Sequence, residues 1–506
     1  MAVSLNVLQP KVHTHPSEVV KDISAPDLEG LNVTFVNMPL REKAVPSSPP
    51  EGILLMTTNL RQNYGVNATS IDLNAYRIQD EEAKSEELEN GRHLSEAEVQ
   101  RKIERHCQVH GKPDLVALSG MITTLGWQKK VAKMVKEMFP ESLLVSGGGL
   151  ATELRPTQLN PKGLFGYIPE LDAIAHSEGD DVIIKIAYDA KVIRERGRRN
   201  ALASGVLKPY YYTDIGSKPR LVYGGDRPRD LDIFPWADIS LLEEDVDGIR
   251  ILEKLINTAS WGDPRTQNSS AAYFPMAPKT SSVSSRGCPY SCTYCYRGAQ
   301  GEQKWGIRSA RHLAAEVREH IEKYGIVFKS FPDDNFAVRV ERIKAMVLGI
   351  MHTVLFGIHS NCTWIMGSPT ETIDKLKKTV RFILWQIEYY GLHGIPPSAV
   401  NQRMFTLTWY PGTKMIRHLK VRQRLSEVFG LTLVKTHPAR EEYEPIFNEN
   451  FEQYCLELDD AVKVLHDPRT GQPLHFSEMT DDEFLEARNY VDSDQTFKIL
   501  DMRPRG

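Results

Sequence analysis

Short apolar segments of strand type alternate with helical segments in the first 195 residues of the chain. The strand-type segments are residues 31–39, 68–73, 114–119, 143–146 and 171–176, and the helical ones are 52–64, 128–139 and 180–190. Strands that alternate with helices at this spacing predict an α/β fold with a parallel, doubly wound sheet. A second strand–helix series begins near residue 280, with strands expected at 281–285, 326–331, 354–359, 363–366 and 403–408.

The length of the chain, 506 residues, is too great for one ordinary hydrophobic core, so several domains are expected. Residues 196–275 lack clear periodicity and contain turn clusters such as GGDRPRD, which indicates a connecting region. We predict a flexible arm over 1–29, an α/β domain over 30–195, this connecting region, a second strand–helix domain over 276–424 and a helical C-terminal region over 425–506.

Composition and the N-terminal sequence bear on location and on the class of partner. No apolar segment of a signal peptide is visible at the N-terminus, and no run approaches 18 apolar residues. We therefore expect a cytoplasmic protein that does not span a membrane. The net charge of −4 gives no general attraction to nucleic acid or to an anionic membrane.

Three of the six cysteines, Cys288, Cys292 and Cys295, lie together in the segment RGCPYSCTYCY. In a cytosolic chain such crowding favours metal binding over disulfide formation. The spacing C-x3-C-x2-C supplies three thiolates to a [4Fe–4S] cluster, which normally takes four, so one iron is left open. The alternative is a structural zinc site, but zinc requires four protein ligands. No fourth cysteine or histidine follows at finger-like spacing.

This cysteine segment, with Tyr294 before its last cysteine, resembles the cluster loop of the radical S-adenosylmethionine (SAM) superfamily. The resemblance implies a core of partial TIM-barrel type in which SAM binds the open iron. The segment between Asp334 and Gly367 is short for such a core, because a βα unit takes ~30 residues. We expect a shortened barrel that lacks roughly two units.

Two later segments also resemble parts of this core and imply cofactor-binding residues. Asp334 and Asn335 lie in DDNF after a predicted strand, and Gly367 and Glu371 lie where relatives place a strand end near the SAM adenine. Active sites of barrels lie at the carboxyl ends of the strands, where these residues fall. The alternative for each segment is an ordinary turn or helix cap.

The first sheet resembles the cobalamin-binding domain that precedes many radical SAM cores. The resemblance lies in VNMP, SGGGLATE and LDAIAHSEGDD, and it assigns Gly147, Gly148 and Gly149 to cofactor binding. Glycines at a strand end let the backbone approach a flat macrocycle at the carboxyl edge of the sheet. The D-x-H-x-x-G motif that supplies a histidine to cobalt is absent. The alternatives are a nucleotide-binding or a purely structural Rossmann-like sheet, although G-x-G-x-x-G is also absent.

Across residues 30–415 the chain resembles cobalamin-dependent radical SAM enzymes. The segments RGCPYSCTYCYRGAQGE and FTLTWYPGT are most similar to the P-methylases of phosphinothricin tripeptide biosynthesis. The resemblance implies that methylcobalamin gives its methyl group to an unactivated centre, the phosphorus of a phosphinate amino acid in natural-product biosynthesis. One SAM would methylate cobalamin, and a second would be cleaved to a radical. No catalytic side chain is assigned, because the cofactors carry this chemistry.

The partners expected from this resemblance are an anionic small-molecule substrate and an electron donor such as flavodoxin or ferredoxin, with no nucleic acid or membrane. Four arginines flank the cysteine loop and either bind the anion or are ordinary surface and structural residues: Arg286, Arg297, Arg308 and Arg311. Two other functions remain open. They are a cobalamin-free radical SAM lyase or dehydratase, and a non-catalytic relative.

Overall fold

A computed structural model of the chain describes most of the predicted domains. The described residues are 20–39, 49–76, 94–215, 218–226, 228–244, 250–257, 278–295, 304–336, 338–339, 341–344, 364–394, 397, 400, 402, 404–460 and 465–505. Most of the predicted arm, the strand predicted at 354–359, Arg297 and Cys362 lie outside them.

The largest element is a seven-stranded sheet. Its strands are β1 (Asn32–Asn37), β2 (Asn67–Asp72), β3 (Leu115–Ser119), β4 (Leu143–Gly147), β5 (Ala173–His176), β6 (Tyr211–Ile215) and β7 (Lys218–Gly224). They lie in the order β2-β1-β3-β4-β5-β7-β6. Six strands are parallel, and only the edge strand β6 is antiparallel to its neighbour. The predicted parallel α/β sheet is confirmed, with each of its first five strands at the predicted position.

Helices cover both faces of this sheet. The helices of this half are Ala25–Leu28, Glu51–Tyr64, Glu96–His110, Leu125–Met138, Gly149–Glu153, Val182–Arg196 and Arg198–Ser204, with 3-10 turns at Ile122–Thr124 and Gly163–Gly166. Successive strand residues point to opposite faces. Phe35 therefore packs in one apolar cluster and Val36 in the other. Burial on both faces explains why the central strands β3 (LVALS) and β4 (LLVSG) are nearly continuous apolar runs rather than alternating ones.

The sheet continues past residue 195, at which the sequence places the end of the first domain. Strands β6 and β7 form an antiparallel hairpin at its edge, with Tyr211 opposite Val222. No helix lies between these two strands, so the strand–helix alternation that located the other strands gives no indication of them.

The second half contains short strands that pair two by two. Strand β8 (Lys279–Ser281) is parallel to β11 (Phe328–Ser330), β9 (Ser285–Arg286) is antiparallel to β10 (Gly306–Ile307), and β12 (Trp364–Met366) is parallel to β13 (Met404–Thr406). The helices of this part are Ile251–Asn257, Ala310–Tyr324 and Ile373–Gly391, with 3-10 turns at Ile239–Glu244 and Lys414–Arg417. A continuous barrel is not seen among the described residues, and the partial barrel stays a prediction.

The sequence predicts a helical C-terminal region, but the structure also contains strands there. Between the helices Leu419–Phe429 and Glu449–Asp460 lies a hairpin of β14 (Leu433–Lys435) and β15 (Tyr443–Pro445), and Asp481–Asp492 and the 3-10 turn Thr496–Asp501 follow. The region packs on one face of the first sheet, where Phe451 and Tyr454 are fully buried in its core cluster. None of the helices in the described part of the chain combines the length and apolar character needed to cross a bilayer.

A buried carboxylate, Asp172, ties the first sheet together at the end opposite its carboxyl edge. It accepts a hydrogen bond from the Leu144 amide at 2.9 Å and ion pairs from Arg198 at 2.5 Å and from Lys136 and Lys218 at 2.6 Å. Its side chain is 1% exposed. Burial would raise the pKa of Asp172, but the three cations outweigh that effect and lower the pKa to about 2.

We expect Asp172→Asn to destabilise the protein by about 3 kcal/mol at pH 7, because breaking a buried ion pair leaves uncompensated charge. The pKa of Asp172 is depressed, so its contribution is complete above pH 4 and is lost as the pH falls toward 2. The difference from the native protein in urea unfolding should therefore be constant above pH 4 and shrink as the pH is lowered from 4 toward 2. Glu137→Gln, which removes an exposed ion pair with Lys133, is the control and should change little. A difference that does not depend on pH would contradict this role of Asp172.

Candidate functional site

A cavity of about 430 Å³ lies at the carboxyl ends of β1, β3, β4 and β5. The helix connections after β1 and β3 lie on opposite faces, and ligands of doubly wound sheets bind in the crevice at this switch point. The cavity walls belong to both halves of the chain. Ser119, Gly147 and Gly148 line it from the sheet, and Val283, Arg286 and Asp334 line it from the second half.

All three predicted glycines line this cavity, and each has a different structural role. Gly148 has φ +81°, and a Cβ there would stand 2.7 Å from the Gly120 carbonyl oxygen. Its lack of a side chain is therefore required by the packing of two loops. An added Cβ at Gly147 would have no atom closer than 3.9 Å, so this residue leaves open space in the cavity wall. Gly149 begins the helix Gly149–Glu153.

A strained residue, Ser177, follows β5 at the cavity. Its φ of +68° is unusual for a residue with a side chain, and its amide donates to the Thr152 hydroxyl at 3.0 Å. A Cβ on Gly225 would stand 1.7 Å from the Glu178 carbonyl oxygen, so the turn is tightly enclosed. Strain of this kind is maintained at sites that hold side chains in a fixed position. Here the turn places Glu178 and Asp180 at the cavity.

The cysteine loop begins at the cavity wall. Cys288 and Cys295 are half-buried and Cys292 is exposed, and the Cys295 amide donates to the Cys292 carbonyl at 3.1 Å. Burial, followed by the nearby thiols of Cys292, Cys295 and Cys288, raises the pKa of Tyr294. Within the described ranges, however, no three His, Cys, Asp or Glu side chains are grouped as metal ligands. Three thiolates are the donor set of a cluster with one open iron, but the described residues do not show them gathered as a metal site.

Three carboxylates hold the backbone that leads into this loop. Glu51 accepts from the Val283 amide at 2.7 Å, Asp333 from the Ser284 amide at 2.7 Å, and Asp334 from the Gly287 amide at 2.8 Å. Burial raises the pKa of Glu51. The structure therefore brings predicted residue Asp334 to the cysteine loop, where it fixes protein backbone.

Asn335, the other predicted residue of this segment, also reaches the cysteine loop. Its amide nitrogen lies 3.8 Å from the Cys288 sulfur. The DDNF segment therefore contacts the cysteine loop at Cys288, and the role of Asp334 and Asn335 toward SAM stays a prediction.

Two of the four arginines near the loop, Arg286 and Arg308, are paired within the protein. Arg286 binds both Glu178, at 3.2 Å, and Asp180, with a second contact to Asp180 at 3.2 Å. Arg308 binds Glu316 at 2.5 Å. Lys329 and Arg308 lower the pKa of Glu316 to about 2 although burial alone would raise it. The structural alternative therefore accounts for Arg286 and Arg308.

Gly367 and Glu371 meet each other but not the cavity. The Gly367 amide donates to the Glu371 carboxylate at 2.6 Å, and the Gly367 carbonyl accepts from the Phe476 amide at 3.1 Å. Burial raises the pKa of Glu371 to about 7. Among the described cavity-lining residues neither appears. The pair closes a turn against the C-terminal region, and its predicted contact with SAM stays a prediction.

The sequence reasoning missed Glu51, Glu178 and Asp180 as site residues. Glu51 lies in the first turn of the helix Glu51–Tyr64, where an acidic residue is common for reasons of capping and dipole. Glu178 and Asp180 belong to the segment LDAIAHSEGDD that carried the cobalamin resemblance. The sequence therefore indicates this segment, but it does not indicate that Glu178 and Asp180 pair with Arg286.

Comparison with known proteins finds distant relatives that are named methyltransferases or a cyclase. No protein-family model matches the chain. An uncharacterized methyltransferase of Pyrococcus horikoshii is 23% identical over 362 residues, which is 60% of this chain and 68% of the relative. The anaerobic magnesium-protoporphyrin IX monomethyl ester cyclase of Cereibacter sphaeroides is 22% identical over 50% of this chain and 36% of its own length.

A third relative is the cobalamin-dependent radical SAM methyltransferase TokK of Streptomyces tokunonensis. It is 28% identical over 197 residues, which is 37% of this chain and 22% of the relative. The chain thus has low-identity relatives among methyltransferases, one of them a cobalamin-dependent radical SAM enzyme. It spans only a minor part of two of the three relatives.

We expect replacement of Cys288, Cys292 and Cys295 together by alanine to abolish iron binding and the broad visible absorption of a [4Fe–4S] centre. Cys107→Ala and Cys455→Ala are the matched controls, because burial in apolar clusters raises the pKa of both thiols and keeps them from a metal. Both should keep their iron after anaerobic reconstitution. If Cys362→Ala loses iron as completely as the triple variant, the three-thiolate site is wrong.

Proposed function

We propose that the chain is a cobalamin-dependent radical SAM methyltransferase. The observation that carries this proposal is that the cavity at the carboxyl edge of a doubly wound sheet is also lined by Ser285 and Arg286, the residues that lead into the cysteine loop. The sheet edge is the place where such folds bind extended cofactors. The names of two relatives, a methyltransferase and a cobalamin-dependent radical SAM methyltransferase, support the same reaction class.

In this proposal Cys288, Cys292 and Cys295 would hold a [4Fe–4S] cluster with one iron left open for SAM, and Ser119 and Gly147 would line the cobalamin site. When bound, these cofactors supply a radical initiator and a methyl carrier. The protein positions them and excludes water. Leu231, Phe234 and Trp236 contribute apolar surface to the cavity wall, which suits a reaction that water would quench.

The substrate in this proposal is an anionic small molecule, a phosphinate amino acid whose phosphorus receives the methyl group. The similarity to the P-methylases supports this choice. Because Arg286 and Arg308 are paired with carboxylates, they are poor candidates for the anion. Arg311 is exposed on the helix Ala310–Tyr324 and stays a candidate. Electrons would come from a flavodoxin or ferredoxin.

A second candidate is a radical SAM reaction without methyl transfer. One relative is named a cyclase rather than a methyltransferase, which favours this alternative. The two candidates differ in their SAM products, because only methyl transfer yields S-adenosylhomocysteine.

We expect anaerobic, reduced protein incubated with methyl-labelled SAM and a phosphinate amino acid to place one labelled methyl group on phosphorus. Each turnover should consume two SAM molecules, one to S-adenosylhomocysteine and one to 5′-deoxyadenosine. Mass spectrometry of all three products checks this expectation. Formation of 5′-deoxyadenosine without S-adenosylhomocysteine would favour the second candidate. The absence of both products under strong reduction would indicate a non-catalytic relative.

We expect Gly147→Leu to weaken cobalamin binding by roughly tenfold or more, the effect of ~1.4 kcal/mol. The new side chain enters the cavity without backbone strain, because no atom lies within 3.9 Å of the added Cβ. Gly391→Leu is the matched control, since Gly391 also has open space around it but does not line the cavity. Cobalamin retained after gel filtration is measured by its visible absorption, and iron content should not change. Undiminished cobalamin binding by Gly147→Leu would remove the cofactor from this edge.

A further inference from the structure

Arg286 connects the two walls of the cavity. It lies two residues before Cys288, and its guanidinium pairs with Glu178 and Asp180 in the turn after β5. The side chains of Arg286, Glu178 and Asp180 are 21%, 11% and 5% exposed, so the pairs are largely removed from water. The planar guanidinium reaches both oxygens of Asp180, which fixes direction as well as distance.

A second link lies at the other end of the same segment. Glu51 follows β1 in sequence and accepts from the Ser281 hydroxyl at 2.6 Å as well as from the Val283 amide. Glu51 and the Arg286 pairs therefore hold residues 281–286 against the sheet from both ends. Arg286 and its two carboxylate partners are more than 100 positions apart in sequence. These pairs therefore determine how the two halves meet rather than how either half folds.

We infer that Arg286, with Glu178 and Asp180, positions the cysteine loop over the carboxyl edge of the sheet. Arg286 is a positioning residue: it acts through Cys288 and does not touch the reacting atoms. The inference rests on the proposed function, since the loop and the sheet edge are there assigned to two cofactors that must meet one substrate. A ligand held a fraction of an ångström out of place loses much of its reactivity.

The first test needs no cofactor. Hydrogen–deuterium exchange of the full chain is followed in the peptide that covers residues 281–295 and in one that covers β4. Arg286→Gln and Asp180→Asn should each make exchange in 281–295 at least about tenfold faster, equal to ~1.4 kcal/mol of easier opening. Exchange in β4 should not change. Arg286→Lys keeps the charge but not the planar guanidinium. Its exchange rate in residues 281–295 should lie between those of the native protein and of Arg286→Gln.

The matched control for these variants is Arg488→Gln. Arg488 is also a buried arginine, 6% exposed, and it pairs with Asp492 in the C-terminal region. This variant should lose stability without faster exchange in residues 281–295. Unchanged exchange in both Arg286→Gln and Asp180→Asn would overturn the inference. Exchange that becomes equally faster in β4 and in residues 281–295 of Arg286→Gln and Asp180→Asn would also overturn the inference, because the ion pairs would then stabilise the whole fold.

The second test uses the reconstituted protein. The magnetic interaction between a reduced cluster and cob(II)alamin, measured by electron paramagnetic resonance, depends on their separation and orientation. It should change in Arg286→Gln and stay the same in Arg488→Gln, with iron and cobalamin contents equal. An unchanged interaction in Arg286→Gln overturns the positioning role. Native protein that takes up no cobalamin contradicts the proposed function instead, and the exchange measurement still decides whether the pairs hold the loop.

Discussion

The buried ion pair between Arg286 and the two carboxylates, Glu178 and Asp180, is the constraint on which the rest of the site depends. Transferring three charges from water to a protein interior is unfavourable unless each finds its partner. An arrangement that still covered Glu178 and Asp180 but moved Arg286 away would leave them as buried, uncompensated anions. The pair therefore favours one arrangement of the cysteine loop over the sheet, and the cavity lies between the parts that it joins.

The first five strands of the sheet could be predicted, because each is recognisable from a short segment of sequence. Helices separate the strands β1 to β5 along the chain, and the central strands β3 and β4 are nearly continuous apolar runs. Such runs are typical of strands whose sheet is covered on both faces. The hairpin of β6 and β7 and the docking of Tyr454 on the first sheet could not be predicted in this way. The hairpin has no helix between its two strands, and the docking of Tyr454 depends on contacts between residues far apart in sequence.

In the candidate site, too, some residues could be predicted from local sequence and others could not. The cysteine spacing and the DDNF segment are local patterns, and the structure brings Asp334 and Asn335 to the cysteine loop. Glu51 and Asp180 are ordinary acidic residues in sequence, and only their partners in the other half show what they do. Gly367 and Glu371 have the expected neighbours in sequence, yet they close a turn against the C-terminal region.

The proposed function requires two different metal cofactors, one at the cysteine loop and one at the carboxyl edge of the sheet. Diffraction at the iron and the cobalt absorption edges, from crystals of protein reconstituted without oxygen, locates both metals. We expect iron beside Cys288, Cys292 and Cys295 and a separate cobalt centre beside Ser119 and Gly147. Iron at the cysteines with cobalt absent or bound elsewhere would show that the sheet edge is not a cobalamin site.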